Sequence, residues 1–272
     1  MILVVGDLER DEFRDLADLL EAGGPVRTAD SARAALSLCS PEVVDVEVLV
    51  LAQSYPGQFV TGEIDRLRRR WPLARVVVVG GNWCGGETRS GQPLPAALRA
   101  GWHQAPLRFA RELRRLSVGG STWALPVTAS EEEKLLADAQ HPLPSDTGLV
   151  VVYAPTYARY AWLSAVLRAG GLATTWIRPG SVPRIDGARA GVFDADACQA
   201  DQWEDLSRLV RSLSGAAVVV LMDFPRAEDR RRLVAAGAVS VLGKPVLLDD
   251  LFDAILRPRT DSARGDAPCH AC

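Results

Sequence analysis

Two side chains stand out by type and by place. Only two of the 31 basic residues are lysines, Lys134 and Lys244, and Lys244 closes a short apolar run directly before Pro245. Asp194 likewise closes the apolar run 191–193. A carboxylate and an ammonium at neighbouring strand ends could form an ion pair, receive a transferred group, or contribute to a hard-cation site, which needs several oxygen ligands. Asp196 lies two residues on and is expected in the following loop. Residues 80–91 hold five glycines around Asn82, Trp83 and Cys84. Amides of such a loop can cradle an anion, but no Gly-Lys-Ser/Thr follows, so it is not a nucleotide P-loop. Cys269 and Cys272 have C-x-x-C spacing; a structural zinc site needs about four ligands, so a flexible tail is expected and no metal. Asp7 follows the first apolar run and reads as a cap or a solvated acid. His103, beside Trp102, is expected at a surface near an interface. No acid/base pair or nucleophile–histidine constellation is evident, so no catalytic residue is assigned.

The elements that must position these residues alternate. Apolar runs at 2–5, 46–51, 76–79, 149–152, 216–222 and 239–242 read as strands buried on both faces of parallel sheets. Between them, helical periodicity marks 9–21, 31–40, 63–71, 107–116, 159–169, 202–212, 227–236 and 249–256. Shorter strands are expected at 25–28, 102–104, 173–177 and 191–193. Alternation of this kind implies helices on both faces of a parallel sheet. The expected fold is therefore α/β: two tandem, doubly wound, five-stranded parallel-sheet sandwiches of the flavodoxin type. The expected domains are 1–117 and 148–258, joined by an acidic linker at 118–147 with a short helix at 131–139, and followed by a flexible tail at 259–272.

Composition bounds the function. A chain of 272 residues with 48% hydrophobic and 24% charged residues is too apolar to be disordered. A net charge of −3 argues against a general nucleic-acid binder. The arginine clusters at 66–70 and 230–232 are expected to be solvated helix faces. No apolar run is long enough to span a bilayer. The N-terminus enters a strand pattern at once, unlike a secretory signal. The five cysteines are therefore expected as reduced thiols in a cytoplasm, and the arginine- and alanine-rich usage suggests a GC-rich bacterial genome.

The stretch 215–256 resembles the back half of a response-regulator receiver domain of the CheY-like family. It has an apolar fourth strand, a polar helix, an Ala-Gly-Ala turn, a fifth strand ending Lys244-Pro245, and a helix of the form Asp-Leu-Phe-x-Ala-Ile. Residues 2–7, 48–57 and 102–106 form a weaker copy. The interval from the third strand's end to the fourth strand's end is 28 residues in each half (52 to 80, and 194 to 222).

The resemblance implies a phosphoacceptor Asp at the third strand, an acidic pair after the first strand for Mg²⁺, a hydroxyl residue after the fourth and a Lys after the fifth. Asp194 and Lys244 match the acceptor and the Lys. Tyr153 and Ala154 stand where the acidic pair would be, and Met222 where the hydroxyl would be. In the first half Gly6 and Asp7 retain one acid, Ala52 replaces the acceptor, Gly80 the hydroxyl residue and Ala105 the Lys. These are degenerate, tandem pseudo-receiver domains by this reading.

The expected function is non-enzymatic two-component signal transduction in bacteria through protein–protein interaction, without conventional Mg-dependent phosphorylation and without a cofactor. The partner would be a histidine kinase or another signalling protein, with no nucleic acid or membrane; a homodimer is compatible with this. The family's usual contact face maps to 226–256 and to 102–116, where Trp102, Phe109 and Phe252 would be exposed anchors. Two alternatives stay open. One is an atypical response regulator phosphorylated on Asp194; the other is a small-ligand binder using the 80–91 glycine loop.

Overall fold

The computed structural model describes residues 1–38, 45–87, 91–126, 128–130, 132–133, 136–137, 147–196 and 200–256. The first half comprises β1 (Ile2–Val5), α1 (Arg14–Gly23), β2 (Val26–Ala29), α2 (Ala32–Leu36), β3 (Val48–Gln53), α3 (Thr61–Arg70), β4 (Arg75–Gly80), β5 (Leu98–Gly101) and α4 (Ala105–Ser117). The second comprises β6 (Leu149–Tyr153), α5 (Tyr157–Ala169), β7 (Ala173–Ile177), β8 (Ala188–Asp194), α6 (Ala200–Ser212), β9 (Ala217–Asp223), α7 (Ala227–Ala235), β10 (Ser240–Lys244) and α8 (Leu248–Leu256). The strand orders are β2-β1-β3-β4-β5 and β10-β9-β8-β6-β7. These are the same order written from opposite edges, and every strand pair is parallel. The fold class is thus the one the alternation implied.

Local chemistry explains most boundaries. The six residues of β3 are all buried, as expected of a central parallel strand covered on both faces. Ser31 and Thr156 cap α2 and α5, their hydroxyl oxygens accepting from the amides of Ala34 and Arg159. Alternate residues feed two cores. In β3, Leu49 and Leu51 face Ile64 and Leu67 of α3, while Val50 and Ala52 share a core with Leu16 of α1 and Phe109 of α4.

Two expectations about elements change. The fifth strand of the first half is Leu98–Gly101, and residues 102–104 form the turn leading into α4. Part of the stretch expected as linker is packed against the first half: Trp123 is buried edge-on to Phe109, and its carbonyl accepts from Arg75 Nε at 2.6 Å. Of the helix expected at 131–139, the described residues 132–133 and 136–137 are helical. The tail 259–272, with Cys269 and Cys272, lies outside the described residues.

The two halves meet through equivalent surfaces. Helix α4 packs on α8, with Arg111 donating to Asp253 Oδ2 at 2.6 Å and to Asp250 Oδ1 at 2.9 Å. Arg108 Nε adds a 3.5 Å contact to Asp250 Oδ2. Leu107 of α4 joins the core of the second half, and Ala227 of α7 joins that of the first. Arg230 pairs with Asp15, and the Ala227 amide donates to Asn82 Oδ1 at 3.1 Å.

Trp102, Phe109 and Phe252 are consequently not exposed anchors: they are 5%, 0% and 0% accessible. Phe109 packs on Trp123, Trp102 shares a core with Ala227, and the Phe252 ring lies against Gly170. Phe109 and Phe252 fill the cores of their own halves, where burial gains more than water contact, and Trp102 is covered in part by Ala227 of the other half.

Candidate functional site

The C-terminal edge of the second sheet gathers the charged residues. In a doubly wound sheet the strand ends open into a crevice there, where ligands commonly sit. The register aligns Asp194 of β8 with Leu221, and Lys244 of β10 with Asp223 of β9. Asp194 is 3% exposed. Lys244 Nζ ion-pairs with Asp194 Oδ1 and donates to the Ala195 carbonyl at 2.7 Å. Arg159, in the first turn of α5, reaches over to Asp194 Oδ2 at 3.7 Å and pairs with Asp196. Both oxygens of Asp194 therefore face cations. Burial pushes the Asp194 carboxyl above the usual carboxylate range, while Lys244 and Arg159 pull the other way.

A cavity of about 440 Å³ opens beside this cluster, with Arg159, Trp162, Asp223 and Lys244 in its wall. Arg159 and Asp223 belong to the cluster and were missed from sequence. The signal for Arg159 was its place three residues after the Thr156 cap, where a long side chain can turn back over the sheet edge.

The residues standing in for a metal pair are engaged elsewhere. The Tyr153 hydroxyl donates to Asp205 Oδ2 at 2.7 Å, and its ring stacks on Phe193 with centroids 4.1 Å apart. Ala154 offers only a methyl group, and Met222 is buried in the core on the α6 and α7 side. A divalent cation at this edge would meet Asp194 flanked by two positive side chains and Asp196 already paired with Arg159, with Asp223 the remaining acid in the cavity wall. The donor set does not fit the Mg²⁺ that the receiver resemblance implies. Among the described residues no three His, Cys, Asp or Glu side chains converge as a metal would require.

The first half offers still less. Register and core side make Ala52 the counterpart of Asp194, Gly80 that of Met222 and Gly101 that of Gly243. The counterpart of Lys244 is then Trp102, not Ala105, which is fully buried at the start of α4. A proline two residues into α4 drew the sequence comparison three positions too far. Gly6 is the counterpart of Ala154. It has φ +118, and a Cβ there would fall 2.5 Å from the Ala52 carbonyl oxygen, so no side chain is tolerated. Asp7 is exposed and accepts the Glu9 amide at 2.9 Å, a local turn contact.

The start of the glycine loop is anchored by buried polar contacts. Gln53 donates to Glu87 Oε1 at 2.9 Å, Arg99 pairs with Glu87, and Cys84 Sγ donates to the Gln53 carbonyl at 3.3 Å. Burial and then Glu87 push the Cys84 thiol up to about 11, so it is not a thiolate near neutrality. His103 Nδ1 accepts the Gly243 amide at 3.1 Å, joining the two halves. Burial, with Arg108 nearby, lowers its pKa to about 4. It is thus a neutral acceptor, half-buried where the two halves meet rather than on an open surface.

No known family profile and no curated protein matches the sequence. Solved structures similar to it include the receiver domain of Francisella response regulator 1452. That match has 16% identity and a TM-score of 0.31, over 40% of this chain and 93% of that one. A probable two-component system response regulator/GGDEF domain protein matches at 13% identity and a TM-score of 0.31, over 92% of this chain and 94% of that one. A putative D-3-phosphoglycerate dehydrogenase oxidoreductase from Ralstonia solanacearum matches at 12% identity and a TM-score of 0.27, over 94% of this chain and 92% of that one.

Proposed function

We propose that this protein is a non-enzymatic bacterial signalling module, two degenerate receiver-like domains locked together, which acts by binding a protein partner without Mg-dependent phosphoryl switching. The observation that carries this reading is the caged carboxylate. Asp194 stands at the strand end where the receiver resemblance puts the acceptor, yet Lys244 and Arg159 hold its two oxygens, and the neighbouring Asp196 is itself paired with Arg159. A nucleophile so paired loses electron density to its partners, and the electrostatic clamp that phosphoryl transfer relies on has no metal to complete it. Because the two equivalent faces cover each other, the partner would meet other surfaces. The exposed ring of Trp162, on α5 in the cavity wall, offers an apolar contact beside the site. No helix among the described residues is long and apolar enough to cross a membrane, which fits a cytoplasmic setting.

The test is exposure of the whole chain to acetyl phosphate or beryllofluoride with Mg²⁺. Amide spectra should stay unchanged and the mass should gain no phosphoryl group. A phosphoryl adduct absent from Asp194→Ala would instead establish the second reading, an atypical regulator phosphorylated on Asp194. That reading is favoured by one feature, the ammonium of Lys244 placed directly on a buried carboxylate at the sheet edge.

A further inference from the structure

Where the halves meet, a cleft of about 650 Å³ runs from the glycine loop across β5 to the loop before α7. It lies between β5 of the first half and the loop after β9 and the end of β10 of the second. Four cationic side chains line it: Arg99, Arg108, Arg226 and Lys244; no carboxylate does. The acids that hold three of them (Glu87, Asp250 and Asp194) are themselves buried and do not line the cleft. Arg226 is exposed and has no ion pair among the described residues. Arg99 Nη1 is buried without a hydrogen-bond partner there. Such an unpartnered donor on an arginine that lines the cleft is unfavourable. One wall is apolar, with Phe224 71% and Leu247 42% exposed. A concave site of this size with convergent polar groups and an apolar wall suits a small organic ligand.

We propose that this interdomain cleft binds a phosphorylated small molecule of nucleotide size. The phosphate sits against the guanidinium groups of Arg99, Arg108 and Arg226, whose planar forks match phosphate oxygens, and the organic body lies on Phe224 and Leu247. Both halves supply ligands, so occupancy ties them together. The proposal is independent of whether Asp194 is ever phosphorylated.

ADP without added metal is the probe, with adenosine as the uncharged control, read by thermal melting of the full chain and by calorimetric titration. Millimolar ADP should raise the melting temperature by about 2–4 °C, and adenosine should not. Arg226→Glu changes an exposed residue outside both cores; it should melt like the parent and lose at least tenfold in ADP affinity. Arg99→Lys, which keeps the charge on Glu87, should also weaken binding. No response to ADP, an equal response to adenosine, or an undiminished response in Arg226→Glu would each overturn the proposal.

Discussion

Asp194 and Lys244 show how an ion pair can be asymmetric. The Asp194 side chain is 4% accessible and that of Lys244 is 22%. If Lys244 is removed, the carboxylate keeps only a distant arginine and cannot reach water; if Asp194 is neutralised, the lysine can swing outward. Lys244→Met is therefore expected to cost about 2–3 kcal/mol in urea unfolding, a partly exposed version of a broken buried pair, and Asp194→Asn distinctly less. Equal losses, or both inside the roughly 0.5 kcal/mol of ordinary surface changes, would contradict this. His103 supplies a pH signature. Its folded pKa of about 4 lies below the ordinary 6.5, so the unfolded chain takes up the proton first as the medium is acidified. The contribution of this residue is full above pH 6.5 and is lost as pH falls to about 4, by about 3 kcal/mol. His103→Asn, which keeps an acceptor for the Gly243 amide, should remove that part of the pH slope when unfolding curves of the two proteins are compared.

At the scale of elements, β5 and β10 approach each other through glycines. A Cβ on Gly243 would lie 2.5 Å from His103 Cε1 and 2.8 Å from Nε2, and one on Gly101 would lie 2.9 Å from Nε2. The imidazole fills the space that both missing side chains leave. Gly243→Ala should displace the ring, break its hydrogen bond and lower stability by about 1–3 kcal/mol, the usual cost of overpacking. Adding His103→Ala should restore part of the loss, and an unchanged melting temperature in the single variant would refute the contact. Strand and helix identities were legible here because apolar runs and helical periods are local properties. The position of β5 was not: Leu98, Arg99, Ala100 and Gly101 form no apolar run, and Trp102 drew the assignment forward. The strand is fixed instead by its pairing with β4 from Val77 to Gly80.

For the molecule as a whole, the contact between α4 and α8 decides whether the halves act as one body. Arg111 bridges Asp250 and Asp253, and Asp250 is fully buried. Arg111→Ala would leave that carboxylate with Arg108 alone and cost about 3 kcal/mol. In calorimetry the parent should unfold in one transition, while the variant should melt earlier and divide into two. A variant that still melted as one transition at the parental temperature would show that the halves are held by other contacts.

The sequence by itself determined the α/β class, the strand order's origin in repeated strand–helix units, and the lack of an acidic pair after the first strand of each half, because residue types and their periodicity are written along the chain. Only the tertiary structure decided that Arg159 closes over Asp194, that Trp102 takes the place of a lysine, and that Phe109 and Phe252 are core residues. Each of these depends on register or on packing between segments far apart in sequence, where a shift of one or two residues, or the approach of a second half, reverses which side chains meet.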